Sequence, residues 1–268
     1  MSTHPTAIVD PQALIDPSAE VGPYVVIDGP VRIGARTRLM AHVTVVGDTT
    51  LGADNVCYPG VHIGHEPQDL GYQGAPTGVR IGDRNAFREG TVVHRGTQPG
   101  TYTEIGSDVF CMSNAHVAHN CRVSDHVILA TGAVLGGHVQ VGERAFVSGN
   151  CVVHQFVRVG RLVIMRGLSR ASRDVPPFAL MDDTHVVRGV NRVGLRRAGF
   201  DTARIRTVVR AFRILFGVRR NLREAMDEVE RELGASADVA EVLTFIRMSK
   251  RGVAMGPRAS APAGDAEA

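Results

Sequence analysis

The chain has 268 residues, 44% of them hydrophobic and 21% charged, with a formal net charge of +3. That length suffices for a core without disulfide or metal staples, and that balance excludes wholesale disorder. No apolar run approaches the ~18 residues a membrane span requires, and Met1 to Asp10 lack the basic flank and apolar stretch of a secretory leader, so a soluble, cytoplasmic protein is expected.

There is no Trp, and 4 Tyr and 9 Phe stand against 30 Gly. The core therefore has to be aliphatic, with glycine at many corners. From Val9 an aliphatic residue recurs at every sixth position, through Ile15, Val21, Ile27, Ile33, Leu39, Val45, Leu51 and Ile63, broken only by Cys57. The series resumes in the same phase at Ile81 and at Ile105 and runs to Val159. Four residues after each of these comes a mostly small side chain, as in Ala13, Ala19, Ala115, Ala133 and Ala145. A period of six fits neither a helix (3.6) nor a half-buried strand (2). It fits short straight segments with a turn after each. Three segments close a triangular coil of 18 residues, and stacked coils pair their strands in parallel around an aliphatic interior. The spacing leaves the handedness open.

Two segments, at about 65–80 and 95–104, interrupt the series without losing its phase, since Ile63 to Ile81 is 18 residues and Val93 to Ile105 is 12. They are expected to leave the scaffold at corners as loops, where a rigid frame tends to carry its function. Cys57 and Cys111 fall in the aliphatic series and Cys121 and Cys151 in the small one, so all four read as core residues. After Ala171 the repeat decays through Asp174-Val175-Pro176-Pro177, a strong breaker. Helical periodicity follows. Asp201 is a cap for the stripe Ile205, Val208, Val209, Phe212, Leu215 and Phe216. Asn221 with Glu224 reads as a capping box for Leu222–Leu233, and a third helix covers about 239–248. The expected organisation is a β-helix over 1–189, a helical domain over 190–251 covering one end of the stack, and a disordered Ala-, Gly- and Pro-rich tail over 252–268.

The net charge is a sum of unlike parts. From 188 to 223 there are 11 arginines against one acid, Asp201, a balance of +10 that leaves −7 for the rest of a chain totalling +3. Such a stretch suits an acidic protein or an anionic nucleotide. Nucleic acid is disfavoured, because no interleaved aromatics or binding motif accompany the arginines.

Eleven histidines are present. The coil period carries His119 to Gly137, beside His138, and then to Gln155, beside His154; with His116, four imidazoles line one flank of successive coils. They point to proton transfer or to a metal site, and a zinc-binding β-helix without enzymatic activity stays open on the residues alone.

The segments Gln68-Asp69-Leu70, His94-Arg95-Gly96-Thr97, Asn114-Ala115-His116-Val117-Ala118-His119, Gly137-His138-Val139, Val153-His154-Gln155-Phe156, Asp174-Val175-Pro176-Pro177, Gly189-Val190-Asn191 and Leu195-Arg196-Arg197-Ala198-Gly199-Phe200 follow one another in an order that resembles the UDP-N-acetylglucosamine acyltransferases, over about residues 4 to 250. The resemblance implies an all-β left-handed parallel β-helix of hexapeptide repeats with a small α-helical C-terminal domain, assembled as a homotrimer with sites at subunit interfaces. It implies transfer of an (R)-3-hydroxyacyl chain from acyl carrier protein to the 3-hydroxyl of UDP-N-acetylglucosamine, the first step of lipid A biosynthesis. No metal and no cofactor are implied beyond the phosphopantetheine of the carrier protein. His119 would be the general base and Gly137 the backbone oxyanion donor. Gln68, Asp69, His116 and His138 would contact sugar and acyl chain, His154, Gln155, Asn191 and Arg197 the nucleotide end, and Gly167 would set acyl length. Three positions depart from the pattern: Gly71 where many members carry lysine, Asn120 where an acid often follows the base, and Arg166 beside Gly167. These departures keep open a relative that acts on a 3-amino sugar or takes an acyl-CoA donor.

Overall fold

A computed structural model describes residues 2–217 and 221–257. Each hexapeptide gives a strand of two to four residues whose aliphatic member points inward, and consecutive coils place like on like: Val21 lies over Leu39, and Leu39 over Cys57. One coil is thus 18 residues in register. The step from Val56 to Ala86 is longer by twelve residues and the step from Ala86 to Phe110 by six, the lengths of the two insertions. Among the described residues the strands gather into sheets of 11, 9 and 8 members, the first, second and third faces of a left-handed triangular prism. Strand pairing is parallel throughout the prism and turns antiparallel only where Ala179–Asp182 meets Val186–Val190. The insertions are narrower than expected, because Gly78–Ile81 and Tyr102–Ile105 are already strands of the third face.

The interior is mostly aliphatic. Cys57 and Cys111 are fully buried, and desolvation pushes both thiols up to about 12, which keeps them protonated and unreactive. The outward residues differ between the faces, after Leu14 on the third and Glu20 and Arg38 on the first. Arg32, Arg80, Glu104, Arg122 and Gln140 line the third face; Val56, Ala86, Phe110, Ile128, Phe146 and Ile164 line the first. The second carries Val26, Val92, Val134 and Val152 around His62 and His116.

The two ends differ. At the N-terminal end Ser2–Thr3 is the first described strand, and Ile8 and Leu14 are 66% and 61% exposed. The other end is covered by four helices, α1 (Arg192–Arg197), α2 (Thr202–Leu215), α3 (Leu222–Leu233) and α4 (Ala237–Arg247). Asp201 caps α2 by accepting from the Arg204 N–H at 2.8 Å, and Asn221 caps α3 through the Arg223 N–H at 2.9 Å. The short α1 has no counterpart in the sequence reading. Asp174, 1% exposed, ties the helices to the prism: its carboxylate accepts from Arg158 Nε at 2.9 Å and from Ser249 Oγ at 2.8 Å. Residues 252–257, expected as the start of a tail, are packed instead. Val253 bridges to Asp174 and Met255 to Val186, and Val253 and Ala254 are buried. The rest of the expected tail, 258–268, lies outside the described residues, as do Arg219 and Arg220 of the basic stretch.

Candidate active site

The corner between the second and third faces is built from Asn120, His138 and Phe156, one per coil, each left-handed with φ of 58°, 60° and 64°. That conformation is disfavoured by roughly 1–2 kcal/mol per residue for side chains with a β-carbon, so the corner is held by its surroundings. The His138 ring stacks on Phe156 at 4.5 Å and presents itself edge-on to His119 at 5.2 Å.

His119 is 8% exposed. Its Nδ1 is 3.0 Å from Asn120 Oδ1, and its Nε2 is 3.9 Å from Asp69 Oδ2, beyond hydrogen-bond reach. A β-carbon on Gly137 would run into Cε1 and Nε2 of the His119 ring, so glycine is what lets the imidazole lie against that backbone. The Gly137 carbonyl accepts from the Phe156 N–H at 2.9 Å, while among the described residues its own N–H donates to no acceptor. An imidazole nitrogen without a hydrogen-bond partner and an uncommitted backbone donor thus lie side by side, the pairing that acyl transfer uses for proton removal and oxyanion stabilisation.

Both insertions converge on His119. The first, at 66–77, where Gln68 is exposed and makes no recorded contact with His119 among the described residues, brings Asp69 to the Nε2 side. It is fastened by Arg95, whose guanidinium donates to the Gly64 carbonyl at 3.3 Å, to Tyr72 Oη at 3.0 Å and to Glu66 Oε1 at 3.1 Å. The second, at 95–101, reaches the Nδ1 side, where Thr97 holds Asn120. Neither Arg95 nor Thr97 had an assigned role, although both stand in the His94-Arg95-Gly96-Thr97 segment; nothing in a single sequence says that these side chains turn back onto the loops.

His116 and His94 meet edge-on at 5.3 Å, and the Nε2 of each is buried without a partner among the described residues. Burial, reinforced by His94 and His119, lowers His116 to about 4. Burial lowers His94 as well, and its Nδ1 lies 2.6 Å from the Glu66 carbonyl. Both rings are neutral at physiological pH and suit hydrogen bonding to an uncharged group. His138 is shifted down by burial and then by His119, with Asp69 opposing. His154 and Gln155 are exposed at the end of the same corner, and His154 Nδ1 is 3.3 Å from Arg251 Nη2. A cleft of about 600 Å³ runs beside them, lined by Asn120, Arg122, His138, Phe156, Arg158 and Arg251.

The remaining predicted residues sit at the other two corners. Asn191 caps α1 through the Gly194 N–H at 2.9 Å and donates to the Leu162 carbonyl at 2.8 Å, while Arg197 lines a cleft of about 530 Å³ with Arg161 and Leu162, between the third and first faces. Gly167 lies between the first and second faces, where a β-carbon would meet only the Gly149 carbonyl at 3.6 Å. Beside it, Arg166 is drawn to Asp182 at 3.1 Å. One chain brings together Asp69, His116, His119, Gly137 and His138, with His154 and Gln155 nearby, and leaves Asn191, Arg197 and Gly167 apart. Among the described residues no three His, Cys, Asp or Glu side chains are grouped to hold a metal ion.

A family model described as "Udp N-acetylglucosamine O-acyltransferase; Domain 2" matches residues 174–254. The chain is 46% identical over 255 residues to an acyl-[acyl-carrier-protein]--UDP-N-acetylglucosamine O-acyltransferase of Anaeromyxobacter sp. (strain Fw109-5), covering 94% of this chain and 99% of that protein. Among solved structures it resembles the UDP-N-acetylglucosamine acyltransferase of Francisella novicida, with a TM-score of 0.91, 30% identity and coverage of 95% and 94% of the two chains. The Arabidopsis enzyme of the same name aligns with a TM-score of 0.87 and 31% identity over 94% of this chain and 99% of that one.

Proposed function

The chain belongs to the UDP-N-acetylglucosamine O-acyltransferase family, which makes it an acyltransferase, and we propose that His119 is its general base and the Gly137 N–H its oxyanion donor. The donor in this reading is an (R)-3-hydroxyacyl thioester on acyl carrier protein, the acceptor is the 3-hydroxyl of UDP-N-acetylglucosamine, and the product enters lipid A synthesis. A sugar hydroxyl is a poor nucleophile, so Nε2 of His119 takes its proton as the oxygen attacks the thioester carbonyl. The carbonyl oxygen becomes an oxyanion against the Gly137 N–H. Collapse breaks the C–S bond, and the proton held by His119 passes to the departing thiolate. The donor's pantetheine arm supplies the thioester, and Asp69, Gln68, His116 and His138 surround the reacting groups. The contact between Gly137 and the His119 ring, with the N–H left uncommitted, carries this reading. It is tested by mass spectrometry of products formed from UDP-N-acetylglucosamine with a ladder of 3-hydroxyacyl carrier proteins, run beside acyl-CoA donors and a 3-amino sugar acceptor.

A homotrimer is part of the proposal. Beyond Glu20 and Arg38 the first face presents aliphatic and aromatic side chains, and the second is mostly aliphatic around its histidines up to Arg170, while the third presents charges, so a ring in which the first face of one copy meets the second face of the next hides most of the apolar surface. In that ring the histidine corner of one copy faces the Asn191 and Arg197 corner of its neighbour across the cleft, which gathers the nucleotide-end residues that a single chain keeps apart. The expected mass in solution is that of three chains. Phe110→Glu should give monomers with activity near background, and an active monomer would refute the arrangement.

Gly167 then ends the second face at the corner opposite His119 and three coils further along the prism, on the order of 20 Å away at ~3.3 Å per residue across the face and ~4.8 Å per coil. An acyl chain crossing that face meets Gly167 at its tip. Burial alone gives only ~0.8 kcal/mol per methylene, too little for sharp length selection, so selection at this corner has to be steric. Gly167→Met is expected to move the preferred donor to shorter chains, and an unchanged ladder would remove the assignment.

The acidic carrier protein is proposed to dock on α1 and α2. Arg192, Arg196, Arg206, Arg210 and Arg213 line one groove there, and among the described residues Arg192, Arg196 and Arg213 make no ion pair. Transfer should weaken steeply, by tenfold or more between ~50 and ~300 mM salt, with KM for the carrier protein carrying the change. Salt-independent KM values would exclude this docking mode. No helix among the described residues is long and apolar enough to cross a membrane, and a cytoplasmic location completes the proposal.

A further inference from the structure

We propose that Asn120, oriented by Thr97, is a positioning residue that fixes His119 in the tautomer with its proton on Nδ1, and that it does so without supplying a countercharge. The inference rests on His119 acting as the base. Asn120 Oδ1 lies 3.1 Å from the Thr97 backbone nitrogen and 2.9 Å from Thr97 Oγ1. A backbone N–H can only donate, so the side-chain atom facing it has to be the carbonyl oxygen rather than the amide nitrogen. That same oxygen is 3.0 Å from His119 Nδ1. An amide oxygen only accepts, so Nδ1 carries the hydrogen, and a neutral imidazole then has its lone pair on Nε2. Nε2 is the atom turned toward Asp69 and against Gly137. The polarity of one main-chain N–H on the second insertion is thereby relayed through Asn120 to the far side of the catalytic ring.

The rest of Asn120 is held as firmly. Its backbone N–H donates to Thr103 Oγ1 at 2.8 Å, and its φ of 58° is one that asparagine tolerates better than most residues. A carboxylate here would select the same tautomer, because it too only accepts. It would differ in stabilising the imidazolium that forms as the sugar oxygen attacks. The other groups around the ring are Asp69 on the Nε2 side and the imidazoles of His138, His116 and His94. Asp69 is thus the one acidic side chain among the described residues recorded as facing His119, and it stands on the side where substrate binds.

Asn120→Asp and Asn120→Gly separate the two parts of the proposal, and both accept the left-handed backbone. With Asn120→Asp the acid limb of the kcat/KM profile should move up by about one pH unit. With Asn120→Gly kcat should fall at least ~10-fold while KM for UDP-N-acetylglucosamine stays within about threefold, because the ring loses its tautomer preference and not its contact surface. Nitrogen-15 spectra of the histidine-labelled protein read the tautomer directly, whether or not the preparation turns over. A protonated Nδ1 on His119 is expected, and a protonated Nε2 overturns the proposal. An acid limb unmoved by the aspartate would equally overturn the neutral-acceptor claim, by showing that Asn120 only supports the loop. An unmodified enzyme that gives no product with any donor would count against the acyltransfer reading of the site, and the spectra would still decide the tautomer.

Discussion

His119→Ala is expected to lower kcat by ~10²–10⁴-fold while the Kd for UDP-N-acetylglucosamine changes by no more than a few fold. The separation of the two effects follows from where the ring sits. His119 is buried at the corner, with one nitrogen given to Asn120 and the other to the reaction, whereas the sugar and nucleotide are expected to rest on Asp69, His138, His154 and Gln155 and on a neighbouring copy's Asn191 and Arg197. Removing the ring removes the group that takes the proton and leaves most of the binding surface. Titration calorimetry with the sugar nucleotide and single-turnover transfer measure the two halves. Turnover within twofold of the unmodified enzyme would eliminate His119 as the base.

Gly137→Ala should be nearly as severe, by ~10³-fold in kcat, for a different reason. The new methyl would occupy space now filled by Cε1 and Nε2 of His119. The ring has to swing out or the coil spacing has to open, and in either case the base and the oxyanion donor part company. The Gly137 backbone is not left-handed, so alanine adds no conformational penalty of its own. A loss of ~1–3 kcal/mol in unfolding free energy from overpacking is expected alongside, with the oligomeric state unchanged. Chemical denaturation paired with turnover distinguishes a misplaced base from a damaged fold. Full activity in a folded variant would mean that Gly137 is only a corner residue.

The prism was legible because its period is incompatible with any other regular structure: a register of inward aliphatics that survives two insertions leaves one architecture. The clustering of His116, His119 and His138 followed from adding one coil length, and it holds in space. The limits have physical causes. Helix α1 has six residues, too few to show a stripe, and its cap Asn191 could be read only through the family motif. Residues 252–257 look like tail because their burial comes from bridges to Asp174 and Val186, partners 79 and 69 residues away in the chain. The corner of Gly167 could be counted, since it lies 48 residues, two coils and twelve, beyond His119, whereas those of Asn191 and Arg197 could not, because both follow the end of the repeat. Asn120 is the instructive case. From the sequence it was an acid replaced by an amide, a deficit. In the structure the Thr97 N–H makes the amide oxygen a directed acceptor.

Asp174 clasps the helical end to the prism through Arg158 and Ser249. Arg158 also lines the cleft that holds Asn120, His138 and Phe156. One guanidinium therefore belongs both to the joint between the two parts of the chain and to the wall of the proposed site. Loosening the joint is expected to be felt at the histidine corner through that side chain, although Asp174 itself is buried.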